Sequence, residues 1–292
     1  MKLGFVNACL PQLTLEEQLR WASSHGFGAI ELHTHPRTLK LDLQKVATDK
    51  GEARRIKELL AQYNIEISSM MLGGNHLHPD AAKRTASHNH FKNMIAAAAA
   101  LDVRIVSTFV GRDFNLPVKA NYKLMEREWP ELIKFAEEHG RGVAIENCPM
   151  LEEWPSGYNI AFSPQVWEVM FDKIGSANLG LNFDPSHLHW LGIDYIAALK
   201  KFAPKVFHAQ AKDVEILSDV LNQVGILGDG WWRYRLPGLG AVDWGRFIST
   251  LYQGGYDGAI SIEHEDPVWE GSLEKTQRGL IFSQRYLSQF II

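Results

Sequence analysis

Short, nearly continuous apolar runs alternate along this chain with longer stretches in which apolar residues recur at helical spacing. The runs at 3–6, 29–32, 65–71, 105–109, 143–146, 179–183, 206–209 and 259–263 read as strands buried on both faces. The stretches at 15–24, 52–63, 81–101, 122–139, 164–173, 194–202, 244–252 and 272–289 read as helices with one apolar face. Eight strand–helix units in succession predict a closed parallel (β/α)8 TIM barrel. An open doubly wound sheet would need a glycine-rich phosphate turn after its first strand, and Asn7-Ala8-Cys9-Leu10-Pro11 is not one.

The boundaries agree with this pattern. Thr14 and Glu17 have the spacing of a capping box. Ser163 precedes a proline at the first helical position, Pro164. Gly26, Gly140 and Gly254-Gly255 follow helices, where a left-handed residue ends a helix at little cost. One barrel takes about 250 residues, so residues 1–292 are expected to form a single domain with one long insertion at about 214–241. A loop of that length in a compact domain is usually functional.

Composition changes the picture little but excludes some classes. Apolar content of 46% and charged content of 22% are those of an ordinary globular chain, and the formal net charge of -4 argues against a nucleic-acid partner. The N-terminus enters a strand pattern without a signal-peptide profile, and the Ala96–Ala100 run is too short to span a membrane, so a cytoplasmic location is expected. Cys9 and Cys148 lie beside strand-like runs and are expected to be free, buried thiols.

The chemistry is concentrated where the strands end. Eight of the twelve histidines lie in or just after the strand runs, among them His33, His35, His76, His78, His187 and His208. That placement favours a site, because serine and asparagine would serve a mere loop equally well. Glu146 follows Val-Ala-Ile, Asp184 follows Leu-Asn-Phe and Glu263 follows Ile-Ser-Ile. A bare carboxylate at the end of a buried strand is costly unless paired, and three on one axis repel each other. A divalent cation removes both problems. Carboxylates with one imidazole suit Mn²⁺ first, with Mg²⁺, Co²⁺ or Zn²⁺ as alternatives.

At these positions the sequence resembles the xylose isomerase-like barrel superfamily, and within it the sugar phosphate isomerase/epimerase group that includes the ketose 3-epimerases. The shared segments are Ala144-Ile145-Glu146-Asn147, Asn182-Phe183-Asp184-Pro185-Ser186-His187, His208-Ala209-Gln210-Ala211-Lys212-Asp213, the stretch from Pro237 to Trp244, and Ile260-Ser261-Ile262-Glu263-His264. The resemblance implies that Glu146, Asp184, His208 and Glu263 hold one metal, that Glu146 and Glu263 also form the acid/base pair, and that His187 binds substrate. It also implies that Asp243 caps the helix from Trp244, and that the protein forms a homo-oligomer. The insertion with Trp231, Trp232, Arg233 and Arg235 departs from the small ketose epimerases, as do the His33/His35 and His76/His78 pairs.

The expected chemistry is proton transfer next to the carbonyl of a ketose or keto-sugar, through an enediolate steadied by the metal. Return of the proton to the opposite face gives epimerisation, and return to the neighbouring carbon gives isomerisation. With a leaving group β to the carbanion, the same site acts as a lyase or dehydratase on a 3-keto-glycoside or inosose. Lys212 is a candidate for neutralising the enediolate, Trp231 and Trp232 for lid aromatics, and Arg233 for an anionic substrate group. His33, His76 and His78 are candidates for substrate contacts. An endonuclease IV-like nuclease would need several zincs and a basic surface, and a non-catalytic sugar-binding barrel would not need two opposed glutamates.

Overall fold

The computed structural model describes residues 1–35, 38, 41–153 and 156–292. Eight parallel strands form a nearly closed barrel, the predicted architecture. They are β1 (Lys2–Phe5), β2 (Ala29–His33), β3 (Glu66–Met71), β4 (Ile105–Thr108), β5 (Gly142–Glu146), β8 (Leu179–Phe183), β9 (Val206–Ala211) and β12 (Ala259–Ile262). Around the barrel they follow chain order, with β12 returning to pair with β1. Between β1 and β2 the ladder thins to a Val6–Glu31 bridge and a bond from the Gly28 N–H to the Leu3 carbonyl. Here the backbones come so close that a Cβ on Gly4 would stand 2.9 Å from the Ala29 oxygen, a contact only glycine avoids.

The outward faces of the strands pack under helices α1 (Leu15–Ser24), α3 (Lys50–Tyr63), α4 (Ala81–Ala100), α5 (Asn121–Glu138), α6 (Pro164–Ile174), α8 (Tyr195–Phe202), α10 (Trp244–Gln253) and α11 (Leu273–Ser288). Shorter helices α2 (Leu43–Thr48), α7 (Pro185–Trp190) and α9 (Ser218–Val224) sit in the loops that follow strands. The Thr14–Glu17 capping box forms, and Asp243 caps α10 through the Arg246 N–H. Ser163 makes no capping bond. Pro164 presets the first turn of α6, and the Trp167 indole N–H ties that turn to the Ala161 carbonyl at 2.6 Å. Gly26, Gly140 and Gly255 take positive φ as expected, whereas Gly254 stays helical at -80°.

Two loops contain structure that the hydrophobic pattern does not reveal. Strands β6 (Leu151–Glu153) and β7 (Ser156–Gly157) pair after β5. The 214–241 insertion is not irregular throughout. Strands β10 (Asp213–Ile216) and β11 (Trp232–Arg235) form an antiparallel ribbon, from Asp213 opposite Arg235 to Ile216 opposite Trp232, with α9 between them. The buried Asp213 carboxylate fastens the return of this segment. It accepts from the backbone N–H groups of Gly238 (3.1 Å), Gly240 (3.2 Å) and Val242 (2.9 Å) and from the Trp244 indole (2.9 Å). Among the described residues no helix is long and apolar enough to cross a membrane.

Candidate active site at the carboxyl ends of the strands

Glu146 is the last residue of β5, Asp184 follows β8 and Glu263 follows β12. The barrel brings one oxygen of each to within 4.8 Å of the other two. Asp184 is oriented by its place as N-cap of α7. Its Oδ1 accepts from the Ser186 N–H (2.8 Å) and hydroxyl (2.7 Å), which turns Oδ2 inward. Glu146 Oε2 and Asp184 Oδ2 are buried without a hydrogen bond. Asp184 Oδ2 has charged neighbours in Lys212 (3.4 Å) and His187 (3.2 Å) but no complete hydrogen bond, and such under-satisfied buried carboxylate oxygens suit a cation.

The buried Lys212 ammonium supplies one positive charge. It lies 2.9 Å from Glu263 Oε2, 3.2 Å from Glu265 Oε2 and 3.4 Å from Asp184 Oδ2, and 4.6 Å from the centre of the Tyr234 ring. Burial alone would favour the neutral amine, but Glu263, Glu265 and Asp184 hold its pKa well above the usual lysine value. The Asp184 carboxyl is lowered to about 2, because His187 and Lys212 outweigh the opposing effect of burial. The Glu263 carboxyl is raised to about 8 by burial, against the pull of Lys212.

His187 stands three residues beyond Asp184, on α7. Its Nδ1 meets the Tyr234 hydroxyl at 3.1 Å, while Nε2 faces Asp184 Oδ2 (3.2 Å) and Glu146 Oε1 (3.7 Å) without completing a hydrogen bond. Burial favours a neutral ring, yet the surrounding Cys148, Tyr234 and Asp184 raise its pKa well above normal.

His208 does not join this group. Its Nδ1 contacts Asn182 Oδ1 (2.9 Å) and its Nε2 contacts the hydroxyls of Ser68 (3.1 Å) and Ser261 (3.4 Å). It borders the cavity at the opposite, N-terminal end of the barrel. Strand register explains the placement. His208 pairs with Asn182 and Ala209 with Phe183, so Asp184 stands level with Gln210. At ~3.3 Å per residue, His208 lies ~6–7 Å below the level of Asp184, while Glu146, paired with Asn182, stands in register with His208. Gln210, two residues further along β9, is the inward-facing side chain level with Asp184. It lines the same cavity as Glu146 and Glu263, its Nε2 donates to Glu31 Oε2 (3.3 Å), and its buried Oε1 has no hydrogen-bond partner.

The cavity above the carboxylates measures about 850 Å³. His33 and His35 line it, as do Lys212, Trp232 and Tyr234. His76 is instead buried beneath, bonded to the Thr108 hydroxyl (2.9 Å) and near the Ser87 hydroxyl (3.1 Å). His78 accepts the Asp80 N–H at the start of α4 and lies edge-on to Phe114. Trp231, just before β11, is buried with Trp190 and Val214; Trp232 stacks on Trp190 at 4.6 Å. Arg233 and Arg235 are held by Glu215, and Arg235 also by Asp266, so neither lines the cavity. Gln210 and Tyr234 escape a search for metal-ligand residue types, because one is a neutral amide and the other lies in a ribbon with a weak strand signal. The inward alternation of His208, Gln210 and Lys212 on β9 was the available clue.

Comparison with known proteins agrees with this architecture. The chain is 25% identical to the uncharacterized protein YfiH of Bacillus subtilis (strain 168), over 91% of this chain and 93% of that one. It is 22% identical to an inosose dehydratase of Clostridium botulinum (strain Alaska E43 / Type E3), covering 95% and 92%. The structure is similar to that of IOLI protein with a binding zinc atom, with a TM-score of 0.76, 22% identity, and coverage of 100% and 99%. It is likewise similar to D-psicose 3-epimerase with D-tagatose from Clostridium cellulolyticum H10, with a TM-score of 0.76, 15% identity, and coverage of 100% and 99%. The profile of one family matches residues 19–286. This chain therefore belongs to the xylose isomerase-like TIM barrel family.

Proposed function

We propose that this protein is a divalent-metal-dependent isomerase or epimerase that moves a proton next to the carbonyl of a ketose or keto-sugar. The observation that carries this reading is the convergence of Glu146, Asp184 and Glu263, with buried oxygens of Glu146 and Asp184 that complete no hydrogen bond. These three carboxylates would hold the ion, and Gln210 Oε1 is the fourth donor in place of the expected His208. An all-oxygen set favours Mn²⁺ or Mg²⁺ over zinc. When bound, the ion supplies a Lewis acid that stabilises negative charge developing on the substrate oxygens.

The chain's own groups do the rest. One of Glu146 and Glu263 takes the proton from the carbon beside the carbonyl, and the other delivers a proton to the opposite face. The Lys212 ammonium balances charge on the carboxylates and on the reacting oxygens. His187 holds a substrate hydroxyl through Nε2 while Tyr234 fixes its ring. Trp232 and Tyr234 form an apolar wall suited to the face of a sugar. In this reading residues 1–292 act as one catalytic unit, with the β10–β11 ribbon as a side wall.

A second reading, dehydration of a keto-sugar or inosose, is favoured by one observation. His187 has a raised pKa and an unbonded Nε2 beside Glu146 and Asp184, and is placed to donate a proton to a departing hydroxide. The relationship to an inosose dehydratase points the same way. Ketoses, 3-keto-glycosides and inososes incubated with the protein in D₂O and followed by NMR separate the two. Deuterium at the carbon beside the carbonyl, with a new epimer or isomer, is expected; loss of water with a new double bond selects the dehydratase. Glu146→Gln and Glu263→Gln should each abolish exchange, and full exchange in either rejects the two-base scheme. EDTA should remove activity that Mn²⁺ restores.

A further inference from the structure

We infer that Glu146, Cys148 and His187 form a second cation site, one that takes a soft divalent ion such as zinc or cadmium and shares Glu146 with the all-oxygen donor set. All three side chains are buried, and each offers one ligand atom within 4.8 Å of the other two. Tetrahedral zinc with sulfur, nitrogen and oxygen donors needs ligand-to-ligand edges of about 3.3–3.6 Å. The edge from His187 Nε2 to Glu146 Oε1 is already 3.7 Å. Side-chain shifts of about 1 Å therefore close the site.

Two independent features aim these donors at an ion. Glu146 Oε2 and His187 Nε2 are buried without a hydrogen-bond partner. Tyr234 holds the His187 ring from behind through Nδ1, so that Nε2 faces the acidic group, 3.2 Å from Asp184 Oδ2, and becomes a ligand once an ion displaces its proton. The Met150 N–H donates to Cys148 Sγ at 3.4 Å, an interaction that steadies a thiolate. Thiolate, imidazole and carboxylate suit a soft ion, whereas Asp184, Glu263 and Gln210 suit a hard one. Binding replaces the Cys148 S–H bond by a sulfur–metal bond and the His187 Nε2–H bond by a nitrogen–metal bond, and both protons leave to solvent. An ion here also takes His187 and one Glu146 oxygen away from substrate, so zinc and substrate compete.

This site does not depend on the proposed reaction. The test uses cadmium as the probe on full-length protein stripped with EDTA and then held in saturating Mg²⁺, which occupies oxygen donors and leaves thiolate alone. One equivalent of cadmium should bind, with an ultraviolet thiolate-to-cadmium charge-transfer band. Cys148→Ser should abolish the band, and Cys9→Ser should keep it. No band in the unaltered protein, or a band that survives Cys148→Ser, overturns the site. Circular dichroism checks that the serine variant is folded. If it is not, His187→Gln decides: cadmium affinity should fall at least tenfold, and unchanged affinity overturns the site. Protein that shows the band yet exchanges no substrate deuterium would reject the proposed reaction and leave this site standing.

Discussion

Gln210 and His208 point into the barrel from the same face of β9 and both approach Glu31 Oε2, at 3.3 and 3.8 Å, yet their other contacts differ. His208 has polar partners at both ring nitrogens, and Gln210 Oε1 has none. Substitution should separate the two. Gln210→Ala is expected to weaken Mn²⁺ binding by at least about tenfold, as loss of a group that holds or orients a metal does. His208→Ala should leave Mn²⁺ affinity within about twofold but destabilise the fold by about 1–3 kcal/mol, because Asn182, Ser68 and Ser261 lose their partner. Calorimetric titration and urea denaturation of both variants check this, and the reverse pattern would restore His208 as the ligand. Among the other side chains, the convergence of Glu146, Asp184 and Glu263 was legible before folding because a carboxylate at the end of a buried strand is costly unless paired. Trp231 and Trp232 were both candidates for the lid, and only packing decides that Trp232 lines the cavity while Trp231, just before β11, is buried with Trp190 and Val214.

Among the elements, the β10–β11 ribbon is the least expected and the closest to the chemistry. It carries Trp232 and Tyr234 to the cavity, and its base is tied down by the many bonds to Asp213. Asp213→Ala strands several buried N–H donors at once. It should cost about 3 kcal/mol or more, read as a lower urea midpoint. Glu215→Ala frees the partly exposed Arg233 and leaves Arg235 on Asp266, so its cost should stay within about 1 kcal/mol. Equal costs for the two variants would contradict this assignment of the ribbon's anchor. The ribbon was hidden in the chain because Trp232–Arg235 alternates aromatic with basic residues, which is the signature of a loop as much as of a short exposed strand. The eight barrel strands were visible for the opposite reason: burial on both faces makes each a compact apolar run.

For the whole molecule, the pH dependence of stability reports on histidines folded into the interior. His76 is buried against Phe91 and Trp129, and burial lowers its pKa to about 3. The neighbouring His88 and His90 lower it further in the same direction. The unfolded chain takes up this proton below about pH 6.5, and the folded chain resists until about pH 3. Stability due to this group is therefore complete above pH 6.5 and falls as pH drops through that window, by at most about 1.4 kcal/mol per pH unit. His76→Gln should flatten the fall in urea-midpoint measurements between pH 6.5 and pH 4, and an unchanged slope would show that other groups carry it. Metal provides a second global readout. Mn²⁺ at 100 times its dissociation constant should stabilise the fold by about 2.7 kcal/mol, and EDTA should reverse this in a thermal melt.

The barrel, its strand order and its three strand-end carboxylates follow from the chain alone, because periodicity and the cost of burying charge act locally. Height along the barrel does not follow from the chain. A two-residue alternation says which side chains face inward, but the level each reaches is set by hydrogen-bond register with neighbouring strands far away in sequence. Pairing of β9 with β8 therefore placed Gln210, and not His208, level with Asp184. The turn of α7 after Asp184 brought His187 to the carboxylate of Glu146, which Cys148 also meets.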